Sequence, residues 1–398
     1  MFKPTQVSVL FSGICALILS LGIARYSLTP MIPGMQEQMG VTEGLAGWLA
    51  GWNYIGYLTG LFIVWLISDL RTKDFFYRYG LIVAVLATAV MATHEVRIVW
   101  YVSRFFTGVA SAMGFMLGTG LVLNWLHHHN YKGELGIHFS GIGLGIICSA
   151  IVVDITNLDS LFSLNWRLQW VALAGIGLLL LIPAIALLPM PKEKEEEMAE
   201  DDDVIISNEQ PSMKWLWLMQ GAYFCAGFSN TVNVTFTSLI TELQPLDGLG
   251  AKMWLLVGLA ATPAPFIWDR IARRFGSMDA LRAAFILNIV GNICLATTSS
   301  LATTAIASLL FGFTFMGIVS QTLSTVGRMY GAQATQIMAR LTLGYCVAQI
   351  LSPIISGTVA EATGSFTLPL YVVSSIMIVG IVCLMLLRNE SKILIPKP

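Results

Sequence analysis

Charge is scarce in this chain of 398 residues: 11% are Asp, Glu, Lys or Arg, against about 25% in a soluble domain. With 56% hydrophobic residues and a mean hydropathy of +0.74, that scarcity excludes an ordinary water-soluble fold, because long apolar runs must then face lipid. A net charge of −1 offers nothing to a nucleic-acid backbone, so no nucleic-acid partner is expected. Paired cysteines are missing too. Cys15, Cys148, Cys225, Cys294, Cys346 and Cys383 each fall inside an apolar run, none in a Cys-x-x-Cys pair, and they read as small buried hydrophobes. There is no Walker loop, no nucleophile–base arrangement and no metal signature. Neither an enzyme, nor a metal, nor any other cofactor is expected, and ATP-driven transport would need a partner subunit. The run His127, His128, His129 does not change this, since neighbouring helix positions do not face one point. The first apolar segment outlasts a signal-peptide core and no small-residue cleavage site follows, so it reads as an uncleaved first span.

What is present is a series of apolar segments of spanning length. They lie at 7–35, 45–68, 75–93, 98–123, 134–155 and 167–188, then at 214–240, 250–269, 279–298, 301–326, 335–358 and 368–388. Helix is the spanning element, since lipid offers no partner to backbone polar groups and the alternation of a β-barrel is absent. The expected fold is an all-α membrane protein of twelve transmembrane helices in two six-helix halves, residues 1–188 and 214–388. Between the halves, 189–213 forms an acidic linker, with Glu193, Glu195, Glu196, Glu197, Glu200, Asp201, Asp202 and Asp203 repelling one another into solvent. Residues 389–398 form a tail. Of the Lys and Arg residues, Arg97, Arg167 and Lys252 fall on one side, Arg25 and Arg104 fall within spans, and all the others fall on the linker side. Positive residues favour the cytoplasm, so both termini, the linker and the tail are expected there.

The halves repeat. Ser68-Asp69-Leu70-Arg71-Thr72-Lys73 follows the second segment, and Trp268-Asp269-Arg270-Ile271-Ala272-Arg273-Arg274 ends the eighth. Parallel six-helix repeats are a transporter signature, with the substrate between them at the bilayer midplane. These features, with the fourth-segment Arg104-Phe105-Phe106-Thr107-Gly108, resemble the major facilitator superfamily. The first Asp69 copy departs from the pattern in having Trp65 four residues earlier, and no proline follows Gly141, Gly143 and Gly145 in the fifth segment. Within the superfamily the chain resembles the YbfB/YjiJ-like bacterial transporters over nearly its whole length. The matching residues are Gly22-Ile23-Ala24-Arg25-Tyr26 with Thr29, Pro30 and Pro33; Ala46-Gly47-Trp48 with Asn53, Tyr54, Gly56 and Tyr57; and Ser352-Pro353 with Gly357. The resemblance implies a multi-pass protein of a bacterial inner membrane that works by alternating access. It also implies that Asp69 with Arg71, and Asp269 with Arg270, Arg273 and Arg274, act as conformational latches. Solvated topogenic charge is the other reading of those residues.

Two arginines sit inside apolar segments, where a charge costs about 2.5–3.5 kcal/mol on insertion scales. Arg25 and Arg104 fall at similar depth, on the side away from the linker, and no carboxylate occupies the centre of any segment. An arginine cannot deprotonate, and its fork suits a carboxylate or phosphate. An anionic substrate group bound by Arg25, Arg104 or both is therefore expected, with Arg104 bonding backbone carbonyls as the alternative. Asn53 and Tyr57 share a face, as do Tyr223 and Asn230, and Tyr345 and Gln349, so these six are further candidates for the substrate site. Each could instead form an interhelical hydrogen bond. Pro30 and Pro33 remove backbone donors and form either a gate hinge or a simple bend. Trp48, Trp100, Trp166 and Trp215 fall near segment ends as expected interface anchors. Candidates for proton coupling are Asp154 and His138. The expected function is a secondary active or facilitative transporter, acting as a monomer in the lipid bilayer on a small or medium organic anion, such as a carboxylate or an anionic siderophore-like metabolite. Two other readings stay open: efflux of amphipathic compounds, and a non-transporting sensor or assembly factor on a transporter fold.

Overall fold

A computed structural model describes residues 4–93, 95–129, 131, 135–158, 165–191, 212–244, 248–297, 300–330 and 334–387. Most of the acidic linker, Lys132 and the tail lie outside the described residues, and with them the expected placement of both termini. Helices α1 to α6 are Gln6–Met39, Glu43–Leu66, Leu70–Val90, Arg97–His128, Leu135–Leu158 and Trp166–Ala186. Helix α7 is Met213–Glu242, and α8 is a pair, Gly250–Ala261 and Ala264–Phe275, bent by 44°. Helices α9 to α12 are Ser277–Thr297, Leu301–Tyr330, Ala334–Thr363 and Thr367–Leu386. No strand occurs among the described residues.

Each expected segment is thus helical. Nine helices are long and apolar enough to cross a membrane, or ten with the bent pair counted as one, among the described residues. The other two, α3 and α7, fall short for different reasons. Helix α3 opens with Arg71, Lys73, Asp74 and Arg78. Arg78 donates to Asp74 at 2.8 Å and to the carbonyls of Ile185 and Leu188 at 2.9 Å each, which ties α3 to the end of α6. Helix α7 carries buried Ser229, Asn230, Thr231, Asn233, Thr235, Thr237, Ser238 and Thr241, so it is polar towards the protein rather than towards solvent. Apolar side chains such as Phe62, Leu86, Val102, Leu179, Ile182, Val379 and Val382 are exposed on the outside, as a lipid-facing surface requires.

Helix ends are capped by local chemistry. Thr42 caps α2 through the Leu45 N–H, and Asp69 caps α3 through the Thr72 N–H at 2.7 Å. The pair Trp100 and Trp166, expected at the interface, instead meets edge-to-face at 5.6 Å inside the first half, and both are buried; Trp215 is buried as well. Burying these large rings between helices outweighs an interfacial position here. Trp48 is half-exposed.

The first half closes on a contact between α1 and α5, where Gly22 and Gly145 lie backbone to backbone; a Cβ on either would collide with the other. The two halves meet along α2 and α11 and along α5 and α8. Gly47 packs on the Pro353 carbonyl, and the Trp254 indole N–H reaches Ser149 at 3.3 Å. Close backbone approach of this kind needs glycine at the crossing.

Candidate functional site

Residues Ile18–Tyr26 of α1 form a π-helical stretch. A π register directs each carbonyl five residues on, so the donor for the Arg25 carbonyl would be residue 30. That residue is Pro30, which has no N–H. Arg104 of α4 donates to the Arg25 carbonyl and to that of Ala24, at 2.9 Å each. Arg104 is 2% exposed and its Nε has no partner. The same region follows α1 into α7, where the Thr29 hydroxyl donates to the Val234 carbonyl.

The Arg25 guanidinium points the other way, to the junction of the halves. It is 5% exposed and lies over the rings of Tyr57, Tyr54 and Tyr26, at 4.0, 4.5 and 5.5 Å from their centroids. From the second half, Gln349 accepts a hydrogen bond from Nη2 at 3.3 Å. No described ion pair includes Arg25, and among the described residues its charge meets ring faces and an amide oxygen. A cavity of ≈ 10 Å³, room for about one water, lies between the halves beside it. Its lining includes Arg25, Thr29, Asn53, Tyr54, Arg104 and Thr235.

All eight residues expected in the substrate site converge here or directly behind. Asn53 donates to the Arg104 carbonyl at 3.1 Å and to Thr107 at 2.9 Å, which locks α2 to α4. In the second half, Tyr223 and Tyr345 stack at 4.4 Å, and Asn230 donates to the Tyr345 hydroxyl at 3.1 Å. Behind Asn230 stands a network that sequence reading missed. Ser229 donates to Asn288 at 2.7 Å, Asn233 to Asn292 at 2.7 Å, Asn292 to Ser229 at 2.9 Å and Asn288 to Thr314 at 3.0 Å. Asn288 and Asn292, four apart in the otherwise apolar stretch 283–296 of α9, were the available signal.

The remaining candidates lie elsewhere. Pro30 is buried and Pro33 partly so, both past the π stretch. His138 is buried against α4, its Nε2 at 3.0 Å from the Thr119 hydroxyl, with Nδ1 unpartnered and facing Gly13. Asp154 is half-buried on α5 and makes none of the described ion pairs. Asp269 pairs with Arg273 of its own helix at 2.7 Å, both exposed, while Arg270 and Arg274 line a groove on the same helix. Among the described residues no group of His, Cys, Asp and Glu could hold a metal ion.

Asp69 and Arg71 stand at the start of α3. The Thr72 side chain, then its N–H, hold the Asp69 carboxyl below the usual aspartate value. The cap therefore contributes fully above the unfolded value of about 3.9 and is lost as pH falls through the lower folded value. Asp69→Ala is expected to lower the thermal midpoint at pH 7, with the gap to wild type closing as acid protonates Asp69. Unfolding curves across pH test this; a gap independent of pH would refute it.

Residues 17–385 match the family described as Uncharacterised MFS-type transporter YbfB. The chain belongs to this family of MFS-type transporters. It is similar to the probable sulfoacetate transporter SauU of Cupriavidus necator, at 23% identity with 90% of this chain and 88% of that one covered. It is also similar to the uncharacterized transporter YycB of Bacillus subtilis, at 21% identity over 95% and 92% of the two chains. In fold it resembles a crystal structure of a mutant nucleoside transporter NupG, with a TM-score of 0.75 at 11% identity over 95% of this chain and 99% of that one. The relatives are multi-pass transporters, not enzymes, and a YbfB-type chain acts on a small molecule in a membrane.

Proposed function

We propose that this YbfB-type transporter carries a small organic anion by alternating access, as a twelve-span monomer with both termini in the cytoplasm of a bacterial inner membrane. The observation that carries the reading is Arg25, a buried guanidinium at the junction of the halves that no described carboxylate neutralises. An oxyanion supplies the missing charge, and the fork can grip it with two N–H groups. Arg104 holds the π stretch through its two carbonyl bonds and so sets where Arg25 points. Tyr345 and Gln349, backed by Asn230, close on the anion from the second half. Rocking of the halves about α2–α11 and α5–α8 would expose the site to one side at a time. The printed name of SauU, a probable sulfoacetate transporter, is consistent with an anionic cargo.

A thermal-shift screen of the purified protein against organic anions and organic cations tests this, followed by counterflow in proteoliposomes. Anions are expected to raise the midpoint and to exchange across the membrane. A set of hits made up of cations alone would overturn the proposal.

A further inference from the structure

A residue lining the cavity beside Arg25 carries a buried acceptor with nothing to accept. Asn53 is 1% exposed, and its Oδ1 has no hydrogen-bond partner. The amide cannot be turned to cure this. Its Nδ2 faces the Arg104 carbonyl, which only accepts, and Thr107 Oγ1, whose own hydrogen is already given to that same carbonyl at 2.8 Å. Turning the amide would set its oxygen against the Arg104 carbonyl, which has no hydrogen to give, and would cost Thr107 its bond to that carbonyl. The free Oδ1 is therefore held in place by the α2–α4 packing. Asn53 lines the same cavity as Arg25 and Arg104, and the Nε of each arginine is also unpartnered.

The residues lining the cavity thus combine cationic donors with a fixed, unpartnered amide acceptor. A simple oxyanion matches the donors and leaves the acceptor bare. A buried acceptor left bare costs about 1–3 kcal/mol. Building on the anion reading, we infer that the cargo is a hydroxy-substituted organic anion, whose oxyanion meets Arg25 while an adjacent hydroxyl donates to Asn53 Oδ1. The class includes α-hydroxycarboxylates and β-hydroxysulfonates. The ≈ 10 Å³ cavity is smaller than any such molecule, so the cargo enters with the halves further apart and the hydroxyl pairs as they close. The sulfoacetate dianion has acceptors only and is a poorer match than a hydroxysulfonate of similar size.

The test compares matched pairs on the full-length protein in nanodiscs: isethionate against ethanesulfonate, and lactate against propionate. Each hydroxylated member is expected to bind at least about tenfold more tightly than its partner, with sulfoacetate weaker than isethionate. In Asn53→Ala the ratio within each pair is expected to shrink to about twofold, through loss on the hydroxylated member. Asn53→Ser serves as a second variant, and thermal unfolding checks that both fold. Equal affinities within both pairs in the wild type would overturn the hydroxyl requirement and leave the anion reading standing. A tenfold ratio that persists in either folded variant would remove Asn53 from the role. Failure of all five anions to bind would overturn both readings.

Discussion

Arg25→Ala is expected to weaken binding of the transported anion by about thirtyfold or more. Truncating one partner of a buried, hydrogen-bonded charge pair costs about 2–5 kcal/mol, and every 1.4 kcal/mol is a factor of ten. Arg25→Lys keeps the charge but loses the planar fork and its stacking on Tyr57 and Tyr54, so a loss of about tenfold or more is expected there. Stability should respond differently. Removing Arg25 gives up three ring contacts and one bond to Gln349, but it also removes a poorly balanced charge from the protein interior. These terms offset each other, and the unliganded midpoint is expected to move little. Arg104→Met is the contrast: it removes the bonds to the carbonyls of Ala24 and Arg25, strands the latter, and is expected to destabilise the protein strongly. Binding and unfolding measurements on the three variants decide. Wild-type affinity in both Arg25 variants would end the assignment, and a collapsed midpoint in Arg25→Ala would make Arg25 a structural residue.

Gly47→Ala is expected to abolish most transport without unfolding the protein. Gly47 of α2 lies on the Pro353 carbonyl of α11, and a Cβ there would strike backbone, which cannot rotate away. Forcing the added methyl into this contact costs about 1–3 kcal/mol. The cost falls only on the arrangement in which these helix faces touch. Two conformations of a transporter differ by a few kcal/mol, so the penalty shifts their populations by about 5- to 150-fold. The halves should then stay apart on this side, where Glu361 of α11 also accepts the Gly44 N–H at 3.1 Å. Spin labels at the exposed positions Glu37 and Thr363 would report longer distances in the variant, alongside reduced flux. Unchanged distances with lost flux would refute the conformational explanation.

Most of the helices were legible in the sequence because length and apolarity select them. Gln6–Met39 and Ser277–Thr297 fall within a few residues of the expected 7–35 and 279–298. Arg25 was legible for a related reason: a charge inside an apolar run stands out wherever the chain folds. The use made of Arg104 was left between two readings, a substrate anion and backbone carbonyls, and the structure has the second. Whether a guanidinium meets a ligand or a carbonyl depends on whether a nearby helix has free carbonyls, and the π stretch of Ile18–Tyr26 leaves no mark in hydropathy. Trp100 and Trp166 were placed at the interface from their position near segment ends, yet each covers the other inside the bundle. Partners distant in the chain decide such cases, as they do for the Asn288 and Asn292 network.

By itself, the sequence determined that this chain is a helical membrane protein with two arginines, Arg25 and Arg104, inside its apolar segments, because composition and segment length decide what lipid will accept. Only the tertiary structure decided that Arg25 faces the second half while Arg104 is spent on the backbone of α1. It also decided that Asn53 keeps one acceptor free. The reason is physical: a side chain's residue type limits which bonds it can make, but the bonds it does make depend on the neighbours that packing brings within about 3 Å.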